Sequence, residues 1–120
     1  MQEPLVSVLM ITYNHQPYIV KAIEHVLAQK AGFTFELVIG EDCSTDGTRE
    51  IVCEYAARHP KVIRLITSDH NVGMKQNFLR ASQACRGKYL AFCEGDDYWH
   101  HPDKLQKQAN HLERHPNCGL

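Results

Sequence analysis

What the chain lacks narrows it quickly. Its longest strictly apolar stretches span a few residues, far short of the roughly 20 that a bilayer crossing requires, so no transmembrane segment is expected. The N-terminus has no basic leader followed by an apolar core and a small-residue cleavage site; MQEPLVSVLMITYN reads instead as the approach to a buried strand. No charge of either sign dominates, since 13 Lys+Arg stand against 14 Asp+Glu. That balance argues against a polyanion-binding face, and so against nucleic acid as a partner, and against an acidic disordered tail. Five cysteines form no CxxC pair, and their odd number fits reduced thiols in the cytoplasm better than a disulfide framework. Eight histidines produce neither an HExxH nor a finger spacing, so no dedicated zinc site is expected. No GxGxxG follows the first apolar run, and no P-loop motif and no GxSxG elbow occur. A bound phosphate would therefore be held by metal and side chains.

What is present is an alternation of short apolar runs with helical patterns, in 120 residues of which 43% are hydrophobic. Leu5 to Ile11 is apolar except for Ser7, as in a strand buried on both faces. Behind Pro17, a residue suited to a first helical turn, Ile19, Ala22, Ile23, Val26 and Leu27 share one helical stripe. Phe35 to Gly40 predicts a second strand. Ser44, Thr45 and Asp46 offer N-caps to a helix carrying Ile51, Val52, Tyr55 and Ala56, which Pro60 stops. Val62 to Ile66 predicts a third strand, and Lys75 to Ala84 a third helix with Phe78, Leu79 and Ser82 on one side. Tyr89 to Cys93 predicts a fourth strand, and Asp103 to His115 a fourth helix before the strand-like Cys118-Gly119-Leu120. The pattern is βαβαβαβα, an open, mostly parallel, Rossmann-like α/β sheet with helices on both faces.

Unusual polar residues collect where these strands end. Thr12-Tyr13-Asn14 follows the first, Glu41-Asp42 the second, Asp69-His70-Asn71 the third, and Glu94-Gly95-Asp96-Asp97 the fourth. Ligands of open α/β sheets bind outside the carboxyl ends of the strands, near the reversal of strand order. Any one cluster is ordinary turn composition; four on one edge point to a site. In the acidic segment, Glu94 and Asp96 share a face of an extended chain and can converge. Hard oxygen ligands of this kind suit Mg²⁺ or Mn²⁺, which complete their shell with water and phosphate oxygens and can stabilise a departing diphosphate. Tyr98 and Trp99 read as packing residues or as a wall for a sugar ring.

Four segments, VSVLMITYNHQPYIVKAIEHVLAQ, ELVIGEDCSTDGTREIV, DHNVGMKQNF and GKYLAFCEGDDYW, resemble in order and spacing the nucleotide-binding half of family 2 glycosyltransferases with the GT-A fold. The resemblance runs from about Val6 to His115. It implies that Thr12, Tyr13 and Asn14 lie along a nucleotide pocket, and that Asp42 contacts a uracil-type base with Glu41 beside it. It implies further that Asn71, Gly73, Lys75 and Asn77 flank the nucleotide and ribose. The family's D-x-D motif matches Glu94-Gly95-Asp96, so Asp96 would bind the divalent cation, Mn²⁺ or Mg²⁺. Glu94 and Asp97 would lie towards the donor sugar or ribose. Glu94 and Glu41 stand where the family usually has Asp, and the extra methylene of Glu94 can shift it out of the metal's shell.

The resemblance also implies the reaction: transfer of a sugar from a nucleotide-diphospho-sugar, UDP-linked by analogy, to an acceptor hydroxyl with inversion. The acceptor is a glycan or lipid-linked sugar of unknown identity, as in making a cell-envelope polysaccharide. The family's general base lies beyond the D-x-D motif, and no residue after Asp97 matches it. We therefore expect residues 1–120 to be the donor-binding part of a GT-A domain cut before its acceptor half, with the base beyond Leu120. The expected location is cytoplasmic, at most peripheral to the membrane, and an exposed sheet edge leaves room for a homo-oligomer. The competing reading is a non-catalytic nucleotide- or metal-binding module that keeps the same sheet edge.

Overall fold

A computed structural model describes residues 4–30 and 32–93. Within them β1 (Val6–Thr12), α1 (Gln16–Leu27), β2 (Phe35–Glu41), α2 (Thr48–Arg58), β3 (Ile63–Ile66), α3 (Met74–Gln83) and β4 (Tyr89–Phe92) follow one another. The four strands form one parallel sheet in the order β3-β2-β1-β4. The chain therefore steps outward from β1 through β2 to β3, then crosses back so that β4 lies on the other side of β1. That reversal puts the crevice of an open α/β sheet beside the carboxyl end of β1. The helix and strand expected after residue 93 lie outside the described residues.

The strands are apolar on both faces because helices cover both. On one face Val6, Val8, Met10, Leu37 and Ile39 meet Ile19, Ala22, Ile23 and Val26 of α1 and Val52 and Tyr55 of α2. Fully enclosed side chains of this size each contribute roughly 1.5–3 kcal/mol through burial. On the other face Leu9 and Val38 meet Ala81 of α3. Here the sequence expectation needs correcting. The inward residues of α3 are Asn77 and Ala81, one turn apart, whereas Phe78 and Leu79 are exposed. The cause is close packing at Gly40, where a Cβ would stand 2.8 Å from Asn77 Oδ1 and 3.0 Å from Ala81 Cβ. Only small or hydrogen-bonding side chains fit against the strand there, so the larger apolar groups rotate outward. Helix α2 also begins later than its three candidate caps suggest, with Gly47 at the N-cap position. Asp46 still serves it, accepting the Thr48 N–H at 2.9 Å and the Thr48 hydroxyl at 2.6 Å.

At the opposite edge of the sheet, buried Glu36 accepts the Ser7 hydroxyl at 2.6 Å and the Arg86 N–H at 2.7 Å. The Arg86 guanidinium lies 3.2 Å from the same carboxylate. This paired charge anchors the chain as it returns from α3 to β4, far from the carboxyl-end crevice, and accounts for Ser7 inside an apolar run.

Candidate functional site

The loops after β1 and β2 are knitted together at the carboxyl edge. Asn14, at φ 55° in the left-handed region that Asn tolerates, accepts the backbone N–H groups of Thr45 at 2.8 Å and Asp46 at 3.3 Å. Its own N–H donates to Ser44 Oγ at 2.9 Å. His15 N–H donates to Thr48 Oγ1, Gln16 N–H to Asp46 Oδ2, and Gly47 N–H to Gln16 Oε1. Asp46 is pulled in two directions: partial desolvation favours its neutral form, and the hydrogen bonds from Thr48 and Gln16 outweigh that and hold its pKa below the usual value. Thr12 is fully buried, with its hydroxyl 2.9 Å from His15 Nδ1. Glu41 is fully buried too, its carboxylate accepting the N–H and hydroxyl of Ser44 at 3.1 and 2.6 Å.

The next layer joins β2 to the start of α3. The Asp42 carboxylate accepts Val72 N–H at 2.7 Å and Gly73 N–H at 3.0 Å, and Asn71 Nδ2 donates to the Asp42 carbonyl at 3.1 Å. Gly73, at φ 91°, takes a conformation L side chains rarely adopt and leads directly into α3. Asn77, fully buried, donates through Nδ2 to the Gly40 carbonyl at 2.8 Å. Arg80 donates to Asn77 Oδ1 at 3.0 Å and to the Glu41 carbonyl at 2.8 Å.

Between these layers lies a cavity of about 490 Å³, large enough for a drug-sized ligand. Of the expected residues, Tyr13, Asp42, Asn71, Gly73 and Asn77 line it. Thr12, Asn14, Glu41 and Lys75 are not in its lining: the first three are occupied in holding the loops, and Lys75 is exposed on α3. His70 is also outside it, paired with Asp69 in solvent at 2.9 Å. Sequence reasoning missed His15, Met74, Phe78 and Phe92, all of which line the cavity. Phe78 and Phe92 stack at 5.8 Å with their rings 15° from parallel. Phe92 had one legible signal, its place near the end of an apolar run that the acidic residues Glu94, Asp96 and Asp97 follow in the sequence. Phe78 had none, because its helical stripe reads as core.

This arrangement sits where the strand order reverses, as expected for a doubly wound sheet, and residues 7–119 match the family model described as Glycosyl transferase family 2. The chain belongs to glycosyltransferase family 2. Rv1520 of Mycobacterium tuberculosis, an uncharacterized protein, is 47% identical over 110 residues, which are 92% of this chain and 32% of that protein. Among solved structures, the S. aureus TarS 1-349 fragment in complex with UDP superposes with a TM-score of 0.78 at 28% identity, covering 92% of this chain and 32% of that one. Mannosyltransferase PcManGT from Pyrobaculum calidifontis, in complex with GDP-Man and Mn²⁺, gives a TM-score of 0.79 at 25% identity, covering 93% of this chain and 33% of that one. This family 2 chain thus spans about a third of the length of the relatives it matches. The α/β sheet is that of the GT-A glycosyltransferases among those structures.

Glu94, Asp96 and Asp97, the acidic residues expected at the metal and sugar, lie outside the described residues. Cys93, immediately before them, lines the cavity and donates its N–H to the Leu9 carbonyl at 3.0 Å. Among the described residues no group of three His, Cys, Asp or Glu side chains is arranged to hold a metal ion. The carboxylates that follow Cys93 in the sequence, Glu94, Asp96 and Asp97, carry hard oxygens of the kind that suit Mg²⁺ or Mn²⁺. Also among the described residues, no helix is long and apolar enough to cross a membrane, and Cys43, Cys53 and Cys85 are free thiols.

Proposed function

We propose that this chain is the donor-binding part of a glycosyltransferase and that its cavity takes a nucleotide-diphospho-sugar, UDP-linked. The observation that carries the reading is the cavity itself. It lies at the strand-order reversal, is lined by the aromatic Tyr13, Phe78 and Phe92 together with the polar Asp42, Asn71 and Asn77, and borders Cys93, after which the acidic run begins in the sequence. UDP in the TarS complex, and GDP-Man with Mn²⁺ in the PcManGT complex, support a nucleotide sugar and a divalent cation here.

In this reading Tyr13 packs against the base and Asn71, Gly73 and Asn77 flank the ribose, while Lys75 stands outside the cavity lining on the exposed start of α3. Asp96 holds Mn²⁺ or Mg²⁺, while Glu94 and Asp97 face the sugar or ribose. The cation, when bound, supplies positive charge to the diphosphate as it departs. Thr12, Asn14 and Glu41 support the pocket from behind by fixing the two loops that frame it. Attack of an acceptor hydroxyl with inversion needs a general base. We assign that base, and the recognition of a glycan or lipid-linked acceptor, to the acceptor half of a GT-A domain and not to the donor-binding residues described above. The cytoplasm is the expected compartment.

Calorimetric titration with UDP, with and without Mn²⁺ or Mg²⁺, tests the proposal. Metal-dependent binding that Asp96→Ala abolishes is the expected result. Tight UDP binding by that variant, or none by the native chain, would sink it.

A further inference from the structure

Asp42 combines two properties that a residue reading a base edge does not need together. It is 3% exposed although it lines the cavity, and both of its carboxylate oxygens already accept backbone N–H groups. With the Asn71 side chain on its carbonyl, three successive loop residues are tied to this one position at the end of β2. The ties continue into the helix. Gly73 carbonyl accepts the Asn77 N–H at 2.9 Å, and Asn77 Nδ2 donates back to Gly40, two residues before Asp42. The end of β2 thus grips the start of α3 at Gly73 and at Asn77. Of these two grips, only the one at Gly73 controls the loop that lines the cavity. Gly73 supplies no side chain, and α3 has no side-chain cap, so the Asp42 carboxylate is the side-chain group holding that backbone in register.

We propose that Asp42 is a positioning residue of the donor pocket: its carboxylate sets the 71–73 backbone and the start of α3, so affinity for a nucleotide depends on it whatever the base. The proposal rests on the nucleotide reading above and adds a role to the base contact that family resemblance implies. Each carboxylate oxygen keeps a second lone pair, so a contact with a base would add to this hold and not replace it. An amide at position 42 offers one acceptor oxygen and one NH₂ group. The NH₂ would face a backbone N–H, donor against donor, and one of the two ties must break.

Amide hydrogen exchange on the nucleotide-free chain tests the hold directly, alongside titrations with UDP and with CDP in Mn²⁺. In Asp42→Asn, exchange at Val72 or Gly73 should accelerate by about tenfold or more, while the amides of β1 keep their protection. UDP and CDP should both bind more weakly than they do to the native chain. Asp42→Glu, which keeps the charge but carries it outward by a methylene, should restore protection at no more than one of the two amides; it also serves as the test variant if Asp42→Asn does not fold. Unchanged exchange at both amides overturns the proposal. So does a loss confined to UDP with CDP unaffected, because that describes a base reader alone. If the native chain binds neither nucleotide, the nucleotide reading fails, and the exchange result still decides what Asp42 holds.

Discussion

Replacing Gly40 by alanine probes the contact on which the site's geometry depends. The new Cβ would stand 2.8 Å from Asn77 Oδ1, 3.0 Å from Ala81 Cβ and 3.2 Å from Ile11 Cδ1. Two of those neighbours belong to the inward face of α3 and the third to β1, so no single flexible side chain can move aside and relieve all three. Overpacking of a close-packed interior costs roughly 1–3 kcal/mol. If α3 shifts outward, the hydrogen bond from Asn77 to the Gly40 carbonyl weakens as well, and a buried carbonyl left without its donor costs about 1–3 kcal/mol. Against this, the reduced freedom of the unfolded chain returns about 0.4–1 kcal/mol. The net expectation is a loss of about 1–5 kcal/mol, read as a lower denaturation midpoint at unchanged m-value. Because Asn77 is the nearest neighbour, the two positions should be coupled: Gly40→Ala should cost about 1 kcal/mol less in an Asn77→Ala background than in the native one. Full native stability in Gly40→Ala, or strict additivity with Asn77→Ala, would refute the argument that this glycine sets where α3 lies.

Three further outcomes are expected. Asn14→Ala loses the acceptor of two loop N–H groups and puts alanine at φ 55°, so stability should fall by about 1–3 kcal/mol, with Asn14→Gly closer to native; equal stabilities for all three would refute the clamp. Burial, with the Glu36 carboxylate adding to it, pushes the Cys85 thiol up to about 11, so at pH 8 iodoacetamide should modify exposed Cys53 in the folded chain well before Cys85; rapid labelling of Cys85 would contradict this. Asp46 has its folded pKa below the unfolded value near 3.8, so its contribution is complete above that value and is lost as the pH falls through the folded pKa. Acid unfolding curves of native and Asp46→Asn chains should therefore converge at low pH and separate above pH 4, with the native chain the more stable.

The layout of the fold could be read from the residues because two faces of burial leave a plain record. Val8, Leu9, Met10 and Ile39 form nearly unbroken apolar runs, and Ile19, Ala22, Ile23 and Val26 form a stripe. Each pattern has one low-energy way to hide itself. Helix α3 could not be read the same way. Its apolar residues, Phe78 and Leu79, lie outward and its buried ones are Asn77 and Ala81, because the strand beneath it carries Gly40. Which side of a helix is inward depends on the space a neighbour leaves, and that neighbour is 37 residues away for Asn77.

The site divides similarly. The sequence alone settled that polar residues gather at the carboxyl ends of the strands, since strand ends and loop composition are local properties. It could not separate residues that face the cavity from those that hold its walls. Tyr13, Asp42, Asn71, Gly73 and Asn77 line it, and Asp42, Asn71 and Asn77 hold neighbouring backbone as well, whereas Thr12 and Glu41 spend their oxygens within their own loops on His15 and Ser44, and Asn14 on the loop after β2. These two roles call for the same residue types, because an oxygen that can accept from a ligand can equally accept from a backbone N–H. Only the tertiary structure, by bringing the loops after β1, β2 and β3 within hydrogen-bonding distance, decided which partner each oxygen takes.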